Sequence, residues 1–141
     1  MSVNVNGRMR LALIAAALAT PGCAEVSQVA EAPGVGPPDA EVRVYFYEGC
    51  PKYVDKWTVE VDLAPPQRVK WIAYTLDGSA RVKDVAYDIY FNPFVGPANA
   101  EKGDGIVRSL PVFHKTPTGV DYKYSIVAGS CQVLDPFIRV R

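Results

Sequence analysis

Cysteine is the residue type most able to do chemistry in this chain, and it occurs three times, as Cys23, Cys50 and Cys131. If Cys23 is modified or removed, Cys50 and Cys131 remain as an even pair, which in an oxidising compartment predicts a disulfide. The loop they close is roughly eighty residues long, and the chain-entropy model gives it on the order of 4 kcal/mol. Two buried free thiols are the plainer alternative. A metal pair fits less well, because neither cysteine has CxxC spacing or a neighbouring histidine.

The single histidine, His114, is the natural general base. With Asp121 and a serine such as Ser109 it makes a formal hydrolytic set, but no nucleophile elbow surrounds a serine, so no catalytic residue is assigned. Asn99, Glu101 and Asp104 are oxygen ligands of the calcium type, but their spacing matches no EF-hand. No metal site and no cofactor is assigned. Arg139 and Arg141 read as flanking residues of a terminal strand.

The aromatic residues offer binding rather than reaction. Val42, Val44 and Phe46 alternate with Arg43, Tyr45 and Tyr47, so the two tyrosines face away from the apolar side. Tyr90 does the same on its own segment. Tyrosines held on a rigid sheet supply contact area at low entropic cost, which suits a protein or glycan partner. The plainer reading is that a second layer covers them.

These residues are positioned by short alternating segments. Beyond the first, Trp57, Val59, Val61 and Leu63 alternate with Thr58, Glu60 and Asp62, and Ala64-Pro-Pro-Gln67 stops the run. Val69, Trp71 and Ala73 follow, closed by the turn pair Asp77-Gly78. Tyr87, Ile89 and Phe91 make a fourth segment, and an irregular stretch runs from Phe94 to about Gly105. Residues 106–114 contain Pro111 and read as an edge strand. Residues 120–127 and 137–141 complete about seven strands with no helix, an all-β, antiparallel Greek-key sandwich of the cupredoxin-like or immunoglobulin-like kind.

The first residues are a targeting segment. Arg8 and Arg10 precede an apolar run, Leu11 to Ala19, that is far short of the roughly 20 residues a membrane span needs. Thr20-Pro-Gly-Cys23 ends it. The segment resembles a bacterial lipoprotein signal, which implies cleavage before Cys23 and its lipidation. Ordinary secretion, with cleavage between Ala24 and Glu25, is the alternative. Residues 1–23 are then the signal, 24–40 a flexible tether rich in alanine, proline and glycine, and 41–141 the domain. Either route exports the chain, to the periplasm, to an outer-membrane anchor, or out of the cell.

Removing residues 1–24 leaves 13 basic against 15 acidic side chains, a formal charge of −2. No basic stripe appears, so nucleic acid is not an implied partner. Contact with a membrane is expected only through the lipid.

Gly119-Val-Asp-Tyr-Lys-Tyr-Ser-Ile126, Leu134-Asp-Pro-Phe-Ile138, Val69-Lys-Trp71 and the run Tyr87 to Phe94 resemble the strands of small exported cupredoxin-like proteins of bacteria. The resemblance covers about residues 42–141 and implies a Greek-key sandwich without implying an activity. A blue-copper centre takes two histidines, a cysteine and usually a methionine. This chain has one histidine, and its methionines, Met1 and Met9, lie in the leader. An immunoglobulin domain matches poorly, because no tyrosine stands two positions before Cys131. The expectation is a non-enzymatic binding or envelope-interaction module. The alternatives are a loop-based metal-binding or enzymatic protein and a purely structural envelope protein.

Overall fold

A computed structural model describes residues 36–91 and 98–141. They are all-β, with nine strands and no helix: β1 (Ala40–Tyr47), β2 (Cys50–Val54), β3 (Thr58–Val61), β4 (Val69–Thr75), β5 (Asp88–Phe91), β6 (Glu101–Gly103), β7 (Ile106–Arg108), β8 (Asp121–Val127) and β9 (Phe137–Val140). One sheet has the order β2-β1-β4-β7-β6 and the other β3-β9-β8-β5.

Both sheets are mixed, which corrects the antiparallel expectation. β1 runs parallel to β4, with Val42 opposite Trp71, and β3 runs parallel to β9, with Val59 opposite Ile138. The remaining pairs are antiparallel. Parallel pairs need a crossover, and here the chain makes it by leaving one sheet for the other. After β2 it passes through Asp55 to Trp57 into β3, then returns as β4.

The count of nine rather than seven comes from two hairpins. Glu48 and Gly49, at φ of 51° and 77°, turn β1 into β2. Asp104 and Gly105, at 53° and 72°, turn β6 into β7 inside the stretch expected to be irregular. Left-handed backbone at both turn positions is what a two-residue hairpin demands. Gly105 has a second reason to be glycine, since a Cβ there would stand 1.9 Å from the Val82 carbonyl oxygen. β7 is shorter than expected, stops before Pro111, and lies between β4 and β6 rather than at an edge.

The alternation places the core. Val42, Val44 and Phe46 of β1, Val69, Trp71 and Ala73 of β4, Val59 and Val61 of β3, Tyr124 and Ile126 of β8, and Ile138 and Val140 of β9 are buried in one cluster fed by both sheets. Trp71 and Tyr124 meet in it, with ring centroids 5.4 Å apart. Burial pushes the phenols of Tyr124 and Tyr87 well above the ordinary tyrosine range. Tyr87 donates its hydroxyl to the Gly105 carbonyl at 3.0 Å.

Candidate recognition surface

Cys50 and Cys131 are joined as a disulfide, with Cα atoms 5.5 Å apart. Cys50 opens β2 in the five-stranded sheet, and Cys131 lies in the loop between β8 and β9 of the four-stranded sheet. Cys23 lies outside the described residues, as do the signal and most of the tether. Where the tether comes into view it is held: Gln67 donates to the Pro38 carbonyl at 2.9 Å, and Arg108 pairs with Asp39 at 2.8 Å.

The three tyrosines singled out in the sequence do not form one site. Tyr45 and Tyr47 stand on β1 in the five-stranded sheet, whereas Tyr90 stands on β5 in the other. Tyr47 and Tyr90 are displayed, 51% and 60% exposed. Tyr45 is only half-buried, because its neighbours wedge it. Its ring stacks on Tyr53 of β2 at 4.5 Å between centroids and leans on Tyr74 of β4 at 6.3 Å. The turn at Gly78 closes on it, with a Cβ position 3.2 Å from Tyr45 Cε1.

Tyr53 and Tyr74 were missed in the sequence. Tyr53 follows Pro51, which argues against a strand, yet β2 is an edge strand and tolerates proline there. Glu48-Gly49 between two tyrosine-bearing runs was the usable signal. Registry does the rest, because Tyr45 sits directly across from Tyr53 on one side and Tyr74 on the other. Such cross-strand aromatic pairs interact along one sheet face.

The cluster is pinned by further contacts. Tyr53 donates its hydroxyl to the Leu76 carbonyl at 2.8 Å, and the Arg43 guanidinium lies over the Tyr74 ring, 4.9 Å from its centroid. Tyr53 is still 45% exposed and Leu76 39%. Asp77 organises the adjoining turn by accepting from Thr75 Oγ1 and from the Ser79 amide and hydroxyl, which holds its pKa down at about 2.

The hydrolytic and calcium-type residues are engaged elsewhere. Ser109 is fully buried; its Oγ accepts from the Val69 amide and donates to the Leu110 carbonyl. Asp121 takes both arms of Arg139 at 2.7 and 2.9 Å, and exposed His114 lies against the Phe113 ring. Asn99 uses its amide on Ile89, accepting from the backbone N–H at 2.8 Å and donating to the C=O at 3.0 Å. Glu101 is clasped by Arg108 and Arg68, which lower its pKa. Asp104 forms the hairpin turn. Among the described residues, no three His, Cys, Asp or Glu side chains come together as a metal-binding group. Arg139 lies within β9 rather than beside it and pairs with Asp121, whereas Arg141 does flank the strand and pairs with Glu60 and Asp62.

Trp57 differs from the alternation reading. It was expected inside and is 53% exposed, because β3 begins only at Thr58 and Trp57 precedes it. Its carbonyl accepts from the Phe137 amide at 2.8 Å. Compared with known proteins, the chain matches no family model, no curated protein and no solved structure.

Proposed function

We propose that this protein is an exported, non-enzymatic binding module whose contact surface is the tyrosine face of the five-stranded sheet. The observation that carries this reading is the Tyr45–Tyr53 stack at 4.5 Å, fixed through the Tyr53 hydroxyl yet open to solvent along its outer rim. Tyr47 and Leu76 widen the same patch. Preorganised aromatic side chains lose little entropy on contact, which is why tyrosine dominates recognition surfaces. The partner is a protein or glycan of the envelope.

Two sheets that share one core and exchange the chain at each crossing support a Greek-key, cupredoxin-like sandwich as the scaffold. A disulfide supports an oxidising compartment, and lipidation at Cys23 would tether the domain to a membrane. The engagement of Ser109, Asp121 and Asn99 in structural hydrogen bonds supports a non-catalytic reading.

The test is crosslinking of the mature protein in an envelope extract, followed by identification of what is captured, with Tyr47→Ala and Tyr53→Ala beside the parent. Each variant is expected to lose the captured species at least tenfold, with Tyr47→Ala melting as the parent does. Equal capture by the parent and both variants would remove the tyrosine face from consideration.

A further inference from the structure

A second surface lies at the free edge of β3, and we infer that it accepts an extended, acidic polypeptide segment as an added strand. β3 is an edge strand, and its bonds to β9 run through the carbonyls of Trp57 and Val61 and the amide of Leu63. Backbone groups alternate sides along a strand, so those of Thr58 and Glu60 point the other way. They point into a groove of about 600 Å³ walled on its far side by Asp39, Ala40 and Glu41 at the start of β1.

The opposite edge of this sheet is capped, where Asn99 closes β5 at Ile89. On either side of the groove Gln67 closes Asp62 at 2.7 Å, and Asp55 closes Arg43, taking the amide on its Oδ1 at 2.8 Å. Thr58 and Glu60 lie between the last two caps. Four extended residues span about 13 Å, the length of β3 itself. A lone extended chain enters such a groove, whereas a second copy would bring its own β1 wall into the same space. Strand addition of this kind takes its affinity from backbone hydrogen bonds and its selectivity from side chains at the rim.

Lys56 sets that selectivity. Its ammonium donates to the Glu41 carbonyl at 2.6 Å, and its acidic neighbour Asp55 is 4.0 Å away. The other cations at the rim are matched more closely, Arg139 by Asp121 and Arg141 by Glu60 and Asp62. Lys56, with its side chain 50% exposed and drawn only loosely to Asp55 and the Glu41 carboxylate, therefore has charge to give to an incoming carboxylate.

The probes are two synthetic octapeptides of alternating threonine and valine, one with glutamate at both ends and one with lysine. Added to the isotope-labelled protein, the glutamate peptide is expected to shift the Thr58 and Glu60 amides and to bind at least tenfold more tightly than the lysine peptide. Thr58→Pro removes only a groove-facing N–H and is expected to abolish both shift and binding. Lys56→Glu leaves the backbone intact and is expected to reverse the preference between peptides. No movement of either amide at millimolar peptide would overturn the inference, as would shifts centred on Tyr45 and Tyr53. Shifts that depend on protein concentration without peptide would assign the edge to a second copy and overturn it as well.

Discussion

Cys50 and Cys131 connect the two sheets covalently, one at the first residue of β2 and the other in the loop that leads from β8 to β9. The residues are separated by 81 positions, so the bridge restricts most of the unfolded domain. Reducing the bond, or replacing both residues with alanine, is expected to cost about 4 kcal/mol on the chain-entropy model. Urea unfolding of the oxidised and the Cys50→Ala/Cys131→Ala proteins checks this. Coincident midpoints would place the stabilisation elsewhere.

Tyr45 and Tyr47 are separated by one residue and are expected to respond differently to truncation. Tyr45→Ala removes the Tyr53 stack and the contact with Tyr74 and is expected to destabilise by about 2 kcal/mol. Tyr47→Ala, at an exposed ring, is expected to stay within about 0.5 kcal/mol of the parent. Chemical denaturation of both variants measures the difference, and equal losses would contradict the wedged position of Tyr45.

Gly105 is the least replaceable glycine among the described residues. A methyl group there meets the Val82 carbonyl at 1.9 Å on backbone that is already left-handed. Gly105→Ala is therefore expected to cost more than about 3 kcal/mol or to prevent folding. Gly119→Ala has the same handedness with open space around it, and is expected to cost only about 1 kcal/mol. Melting temperatures of the two variants give the comparison.

Asn99 is expected to matter through the strand it caps. Asn99→Ala strips both hydrogen bonds from Ile89 and is expected to cost about 2 kcal/mol. It also leaves the β5 edge bare, a template for association. Hydrogen exchange at the Ile89 amide should accelerate, and an unchanged rate would show that Asn99 is dispensable.

Asp77 makes a pH prediction. Its folded pKa of about 2 lies below the ordinary value of 3.8, chiefly because Thr75 donates to it. A depressed acid favours the folded state above the unfolded pKa, and that contribution fades as pH falls from near 4 towards 2. Glu101, Asp135 and Glu41 are lowered too, so acid acts on several turns and rims at once. Asp77→Asn should flatten its share of the slope, and the carboxyl carbon shift of Asp77 through the same range reads the pKa directly.

Much of the scaffold is written in local pattern. Val59 and Val61, Trp71 and Ala73, and Tyr124 and Ile126 lie inside as their alternation demands. What the pattern omits is who sits beside whom. Nothing in the residues of β1 says that β4 rather than another strand will lie parallel to it, because pairing across a long separation depends on crossings between sheets. The turn at Glu48-Gly49 hinted at a strand carrying Tyr53, but its place in the site follows only from its register with Tyr45. The hairpin at Asp104-Gly105 was legible and overlooked, since an aspartate–glycine pair is a strong turn signal even within an irregular stretch. The caps on Asp62 and Ile89 were not legible, because a lone glutamine or asparagine does not declare which backbone it will serve.

β9 occupies an interior place, flanked on one side by β3 and on the other by β8. During synthesis, β3 therefore emerges long before its neighbour exists and waits with both of its rims bare. Closing that gap means gathering distant stretches of chain, a slow step in folding.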